Sequence, residues 1–282
     1  MYKLSNVDYN EFQEKGFLVI KNFYDKEFEI LPIINEIAQV IELLAKYHLP
    51  KADLPTNFDQ KYTYLKEEFE ESKICSLIYD SIKLMKSFNH WSHSIAHYIL
   101  AQDLLKSKDI GFCRMGDGIR IDGKSNIKFS APWHQEFPTQ GFSSKGVIFW
   151  TPLLDITKEL GPINIAQGSH KDGIRKIIVD KPLEEVTAYD LNIKNIEQIL
   201  SLYNIAAPCI DVGDLVVMDY FVLHASGINS TNKERWSMQT RLFSFDDQFG
   251  IKTGYQKANI QCQKYWNNLS EIFKTNVIEL QK

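Results

Sequence analysis

The sequence is poor in cysteine, contains no long apolar run and has no excess of basic residues. Its four cysteines (Cys75, Cys113, Cys209 and Cys262) are scattered without a Cys-x-x-Cys pair, as is typical of reduced core residues. No stretch approaches the roughly eighteen continuous apolar residues of a membrane-spanning helix. Acidic residues number 36 against 32 basic ones, giving a net charge of -4. The charge therefore gives no reason to expect nucleic acid or an anionic membrane as a partner.

The length of the chain and its first ten residues allow predictions about its domain organisation and its location. Residues 1–10 are polar and mixed in charge, without the basic start and apolar stretch of a signal peptide. We therefore expect a cytoplasmic protein. The 282 residues, 44% of them hydrophobic, are compatible with a substantial core in one large domain or two small ones. We expect a single domain over 1–282, with a mostly helical part at 1–109, a β-rich core at 110–246 carrying an insertion at 171–206, and a helical tail at 247–282.

The two larger parts differ in their apolar patterns. Between Asp25 and Tyr47 the apolar residues follow helical spacing, and a helix followed by one strand is expected before them, the strand at Phe17–Ile20. From about Ile110 onward short apolar runs alternate with Gly and Pro turn signals, which favours a sandwich or jelly roll. The predicted fold class is mainly β (α+β), a double-stranded β-helix (jelly roll) with the N-terminal helices packed on it.

A candidate metal site lies in the β-rich part. His134 and Glu136 are two residues apart, so on a strand both side chains would lie on one face. With His224 from a later strand they have the composition of the two-His-one-carboxylate triad that binds Fe(II) and leaves positions open. Arg235 suits a co-substrate with a free carboxylate, because guanidinium binds carboxylate bidentately. Taken alone, a His-x-Glu pair is more often a chance occurrence.

Several motifs in one order make the chain similar to a known family. From about Arg114 to Phe245 the sequence resembles the phytanoyl-CoA dioxygenase family of Fe(II)/2-oxoglutarate oxygenases, and Gly16–Ile20 fits the family's opening. The motifs are Trp133-His134-Gln135-Glu136, Trp150-Thr151-Pro152, Gly161-Pro162, Gly168-Ser169-His170-Lys171, Gly213-Asp214 and His224-Ala225-Ser226 with Asn229 and Arg235.

The resemblance implies a role for each matching residue. It implies His134, Glu136 and His224 as iron ligands and catalytic centre. It implies Arg235, helped by the Ser226 hydroxyl, as the site that binds the distal carboxylate of 2-oxoglutarate. The implied cofactor and co-substrates are Fe(II), 2-oxoglutarate and O2, and the implied reaction hydroxylates a C–H bond with release of succinate and CO2.

Trp150 falls where the family has an aromatic residue lining the cofactor pocket. His170 is expected to be structural. Arg241 is expected to form an ion pair at the rim of the barrel, and contact with the co-substrate is the less favoured alternative. Arg120 and Asp122 share a strand face leading towards the site and are the best candidates for polar contacts with a small-molecule substrate. The sequence identifies neither that substrate nor the oligomeric state.

One residue departs from the family pattern. The family usually has Asp at the carboxylate position, and this chain has Glu136, whose extra methylene moves the carboxylate by roughly one bond length. We interpret the site as active with altered geometry. Two alternatives stay open: a jelly-roll binding protein that lost turnover, and a cupin-like metal enzyme of another reaction class. Arg235 and Ser226 argue against the second, because such sites need no carboxylate clamp.

Overall fold

The computed structural model describes residues 2–68, 73–113, 116–124 and 130–280. Four basic residues precede the His134 motif in the sequence (Arg114, Arg120, Lys124 and Lys128), and Arg114 and Lys128 lie outside the described residues. The α-helices in the described ranges are α1 (Asn6–Lys15), α2 (Leu31–His48), α3 (Phe58–Glu68), α4 (Lys73–Ile82), α5 (Lys86–Ser92), α6 (Ile95–Leu105), α7 (Phe137–Gln140), α8 (Ile196–Leu200), α9 (Gln248–Thr253) and α10 (Gln263–Ile272). No helix among the described residues is both long and apolar enough to cross a membrane.

Local sequence explains where the N-terminal helices begin and end. Ser5 and Asp8 form a capping box at the start of α1, and Gly16 ends the helix with a φ of 77°. Helix α2 buries Ile33, Ile37 and Ile41, one residue per turn. The helical spacing in the sequence therefore predicted α2 correctly.

The strands follow short apolar runs bounded by turns. They are β1 (Phe17–Ile20), β2 (Ile110–Phe112), β3 (Gly118–Asp122), β4 (Gly146–Pro152), β5 (Asn164–Ala166), β6 (Ile177–Val179), β7 (Asn192–Ile193), β8 (Ile205–Ala206), β9 (Leu215–Asp219), β10 (His224–Ala225), β11 (Arg235–Ser244) and β12 (Ile278–Leu280). The main sheet has the order β1-β9-β4-β11-β2, with β3 also paired to β11. All of its pairings are antiparallel.

The main sheet separates two hydrophobic cores. Because side chains alternate along a strand, Phe149 and Val217 belong to the core shared with the N-terminal helices. Trp150, Val216 and Met218 belong to the core on the other face. A second, smaller sheet of order β10-β5-β8 packs there, contributing Ile165 to the same core. The combination of packed N-terminal helices and antiparallel sheets confirms the coarse fold prediction, a mixed α and β protein.

The insertion and the tail are joined through a third sheet. Strand β6 pairs antiparallel with β7 inside the insertion and parallel with β12 at the end of the chain. Helix α8 also lies within the insertion. The tail at 247–282 was expected to be helical, but α10 ends at Ile272 and the chain then forms β12. The division into one domain stays a prediction.

Candidate metal centre and its pocket

Two histidines from distant segments meet at the centre of the site. His134 and His224 form an isolated antiparallel bridge, with N–O distances of 3.0 and 3.1 Å in the two directions. His224 is also held by β10, which pairs with Ile165 of β5. The two imidazole centroids are 4.2 Å apart. The backbone bridge therefore brings both side chains to one place.

Both imidazoles are oriented in the same way. The Nδ1 atom of His134 is 2.7 Å from the carbonyl oxygen of Pro132, and that of His224 is 3.0 Å from the carbonyl of Val222. A carbonyl can only accept, so Nδ1 carries the proton and each Nε2 keeps its lone pair. Burial lowers the pKa of His134, and it lowers the pKa of His224 to about 3. Both rings are therefore neutral, the form that binds metal.

Glu136 reaches the site from a helix start rather than from a strand. Its φ and ψ of -70° and -42° are helical, and its backbone N–H donates to Tyr220 over 3.0 Å. We expected His134 and Glu136 to share a strand face, and this was wrong. The strand is limited to the bridge at His134, and the chain turns directly into α7, with Pro138 in its first turn.

The two oxygens of the Glu136 carboxylate have different neighbours. Oε1 accepts hydrogen bonds from Arg241 Nε at 2.7 Å and from Gln140 Nε2 at 2.6 Å. Oε2 lies 3.8 Å from His224 Nε2. Burial alone would raise the pKa of Glu136, but the charge and hydrogen bond of Arg241 outweigh it, and the pKa is lowered to about 2. The carboxylate is therefore ionised and presents Oε2 towards the histidines.

Together these three side chains form a possible metal site. One ligand atom from each of His134, Glu136 and His224 lies within 4.8 Å of the others. No other group of three such side chains was found in the part of the chain that the structure describes. Two neutral histidines and a carboxylate have the composition of sites that bind Fe(II) and leave positions open.

Arg235 lies on the inner face of the main sheet, directly opposite Asp122 where β3 pairs with β11. Its Nη2 donates to Asp122 Oδ2 over 2.7 Å, and its Nη1 donates to the carbonyls of Gly161 and Gly227. The other Asp122 oxygen accepts from Arg120 at 3.1 Å. Thus one carboxylate is shared by two arginines. The Nε of Arg235 is buried without a partner in the described ranges.

Ser226 and Trp150 line the cavity between Arg235 and the histidines. The Ser226 oxygen accepts from the backbone of Ala131 over 3.1 Å, which leaves its hydroxyl proton available to a ligand. Trp150 is 4% exposed and lies opposite Gln239 of β11. Thus every residue implied for the metal and co-substrate lines one cavity.

Arg241 and Gln140 were not predicted to contact the candidate ligands. Arg241 was expected at the barrel rim, but it is 8% exposed and bound to Glu136 inside the site. Its position had a signal in the sequence, since residues 235 and 241 of one strand share a face. Gln140 follows Glu136 by four residues, a spacing that brings side chains together only if the segment is helical.

His170 lies outside the metal cluster, and its ring contacts the Gln13 carbonyl at 3.1 Å. This is the structural position expected from the sequence.

The profile described as "Phytanoyl-CoA dioxygenase (PhyH)" matches residues 12–237. The chain belongs to this family of 2-oxoglutarate-dependent non-haem iron enzymes, and the predicted family, enzyme class, iron, 2-oxoglutarate and O2 are confirmed at that level. No curated protein matches the chain.

Solved structures similar to the chain share its fold. The epimerase SnoN in complex with Fe3+, alpha ketoglutarate and nogalamycin RO is 14% identical, with a TM-score of 0.55, covering 88% of this chain and 87% of that one. EvdO2 from Micromonospora carbonacea var. aurantiaca, complexed with 2-oxoglutarate, is 15% identical with a TM-score of 0.53 and coverages of 86% and 92%. The apo form of EctD from S. alaskensis is 13% identical, with a TM-score of 0.51 and coverages of 86% and 77%.

Proposed function

We propose that this protein hydroxylates a C–H bond of a small-molecule substrate, with His134, Glu136 and His224 as the ligands of Fe(II). The observation that carries the proposal is the convergence of three ligand atoms within 4.8 Å, with both histidine Nδ1 protons held by backbone carbonyls. Bound Fe(II), with 2-oxoglutarate and O2, supplies the oxidising chemistry and releases succinate and CO2. The protein supplies the ligand geometry and the pocket around it.

Arg235 and Ser226 are proposed to bind the distal carboxylate of 2-oxoglutarate. Three features support this: the buried guanidinium, its Nε without a partner among the described residues, and the available Ser226 hydroxyl proton. Asp122 is better suited to orienting Arg235 than to contacting a substrate, since both of its oxygens are bound to arginines. Trp150 forms part of the cavity wall beside them.

The two antiparallel sheets are proposed to form the double-stranded β-helix expected from the sequence. Support comes from the cavity itself, which is lined by Trp150 and Met218 of the main sheet and by His224 and Ala225 of the small sheet. The folds of the SnoN and EvdO2 structures are also similar to this chain. The placement in the cytoplasm stays a prediction.

The test is anaerobic addition of Fe(II) and 2-oxoglutarate, followed by the visible charge-transfer band of the chelate. Wild type should develop the band. Arg235→Lys should require about tenfold more 2-oxoglutarate, because lysine cannot form the bidentate bond. Glu136→Ala should bind iron weakly. Arg175→Lys is the matched control, since Arg175 pairs with Asp172 and lines neither this cavity nor the second cavity that adjoins it.

Absence of the band in wild type with iron bound would overturn the proposal. It would favour the binding protein that lost turnover, or the cupin-like enzyme of another reaction class. A band that forms equally well in Arg235→Lys would retain the iron site but reject Arg235 as the co-substrate residue. Iron-dependent succinate release in the presence of substrate candidates is the second measurement.

A further inference from the structure

A second cavity of about 260 Å³ opens outward from the metal site. It shares Arg120, His134, Glu136 and Arg241 with the inner cavity, so a ligand in it would lie beside the candidate metal ligands. The remaining wall comes from parts of the chain outside the family motifs, including the insertion and the segment after α9. These added residues are Pro132, Thr139, Gln140, Ala188, Tyr189 and Lys257.

The charges around the two cavities do not balance. Among the described residues at this site, three arginines (Arg120, Arg235 and Arg241) share two carboxylates, Asp122 and Glu136. Lys257 adds a further positive charge at the outer wall. Fe(II) and 2-oxoglutarate would add two charges of each sign and leave the positive excess unchanged. Because Arg235 and Arg241 are buried and Arg120 is half-buried, their excess charge favours an anionic ligand, which would also meet the exposed Lys257 at the outer wall.

Tyr189 brings the insertion to the mouth of this cavity. It lies in the short turn Ala188–Asp190, which is closed by a capping box between Thr187 and Asp190. Lys181 also binds Asp190, at 2.8 Å. Tyr189 lines the same cavity as Arg120, so its hydroxyl lies on a wall that a ligand would contact. A tyrosine hydroxyl carries one proton that it can donate to an anionic acceptor bound there.

Lys257 is brought to the opposite wall by close backbone contact. Gly141 and Lys257 form an isolated bridge, and Ala258 N donates to Gln140 O over 3.0 Å. Gly141 has a φ of 73°, and a Cβ there would lie 2.4 Å from the backbone nitrogen of Ala258. Only glycine allows this approach. These backbone contacts therefore hold Lys257 beside the segment that follows Glu136 and α7.

We propose that this outer cavity binds an anionic group of the primary substrate, a carboxylate or a phosphate, through Arg120, Lys257 and the Tyr189 hydroxyl. This proposal deepens the proposed function and rests on it only in treating the bound molecule as the substrate of the reaction. The cavity itself is independent of the metal. The insertion at 171–206 thus acts as a specificity element, because it supplies Tyr189.

The first experiment measures anion binding by calorimetry at constant ionic strength. Inorganic phosphate and butanoate are the probes, added anaerobically to protein saturated with Fe(II) and 2-oxoglutarate. One of them should bind without reducing the chelate band. Lys257→Gln should weaken that binding about tenfold and Tyr189→Phe about threefold, by the usual scale of one charged or neutral hydrogen bond. Lys252→Gln, which removes an exposed lysine paired with Glu271 outside both cavities, should leave it unchanged.

Three results would overturn the proposal. One is that neither probe binds, and another is that Lys257→Gln binds as wild type does. The third is a loss of the chelate band, which would place the anion in the co-substrate pocket. If wild type forms no chelate with Fe(II) and 2-oxoglutarate, the proposed function fails, and phosphate and butanoate binding to metal-free protein still tests the outer cavity.

The second experiment compares matched compounds by succinate release. Free acids and phosphate monoesters are screened beside their neutral methyl esters, which separates carboxylate from phosphate as the recognised group. The neutral partner of an active compound should have a KM at least tenfold higher, and Lys257→Gln should reduce that difference. Equal KM values for the charged and neutral partners would overturn the proposal.

Discussion

Arg241 Nε donates to Glu136 Oε1 over 2.7 Å, so a candidate metal ligand is itself held by a buried cation. Gln140 occupies the same oxygen. The extra methylene of Glu136 relative to the family's aspartate extends the carboxylate from a helix start to these two partners. Oε2 is then the oxygen that Glu136 has left for a metal, and the active site of altered geometry expected from the sequence stays a prediction.

Removing this cation should destabilise the metal-free protein more than the metal-bound one. In Arg241→Gln the buried Glu136 carboxylate loses its counter-charge, which typically costs about 3–5 kcal/mol. Bound metal would supply a replacement charge and reduce the loss. Urea unfolding with and without Zn(II) measures the difference, with Arg175→Gln as the control. An equal loss in both conditions would contradict the prediction.

Restoring the family's residue should impair this site. In Glu136→Asp the carboxylate is shorter by one methylene and cannot contact Arg241 and Gln140 while also reaching the histidines. We expect metal affinity to fall by about tenfold, in the range seen when partners of metal ligands are lost. Competition with a chromogenic chelator measures it. Glu234→Asp, at a buried glutamate paired with Lys66, is the matched control. Tighter metal binding by Glu136→Asp would refute this view of the site.

The spacing of apolar residues within a single segment predicted individual helices and strands. The spacing of Ile33, Ile37 and Ile41 identified α2, and the apolar run Phe17–Ile20 identified β1. The ligand types of His134 and His224, far apart in sequence, suggested a metal site, but the choice of these two residues depended mainly on the resemblance in motif order. The family profile confirms that resemblance over 12–237.

The sequence analysis did not predict one long-range strand pairing or the turn from His134 into α7. Nothing local indicates that β12 pairs with β6, because parallel strands are joined only through distant segments. The His-x-Glu spacing suggested a strand, although Pro138 favours a helix start and could have indicated α7. The pairing of Arg241 with Glu136 followed from that turn, and so it was missed.

The residue between two candidate ligands should matter for stability. Gln135 is buried, its Nε2 donates to the carbonyls of Gly173 and Phe221, and its Oε1 accepts from Arg175 N. Gln135→Leu leaves three backbone groups without a partner, so we expect a loss of about 3 kcal/mol in urea unfolding. Gln198→Leu, at an exposed glutamine of the insertion, should change stability little. A loss below about 1 kcal/mol for Gln135→Leu would contradict the prediction.

His97 should make the protein less stable in mild acid. Three histidines (His90, His93 and His97) had the spacing of one helix face, but the chain breaks between α5 and α6, and His97 is buried. Its Nε2 lies 2.6 Å from the Tyr24 hydroxyl oxygen, and burial lowers the pKa of His97 from 6.5 to about 3. The unfolded chain therefore binds a proton below about pH 6.5 that the folded chain excludes, and the free energy of unfolding falls as pH drops from there towards 3.

The test compares His97→Asn with wild type by urea unfolding of metal-free protein between pH 7.5 and 4.5. The variant should be less stable at pH 7.5, because the packing against Tyr24 and Phe149 is lost, yet its stability should fall less steeply with pH. His134 and His224 titrate in both proteins, so their contribution cancels in the comparison. His90→Asn, at an exposed histidine, should keep the wild-type slope. An unchanged slope in His97→Asn would show that this histidine does not titrate on unfolding.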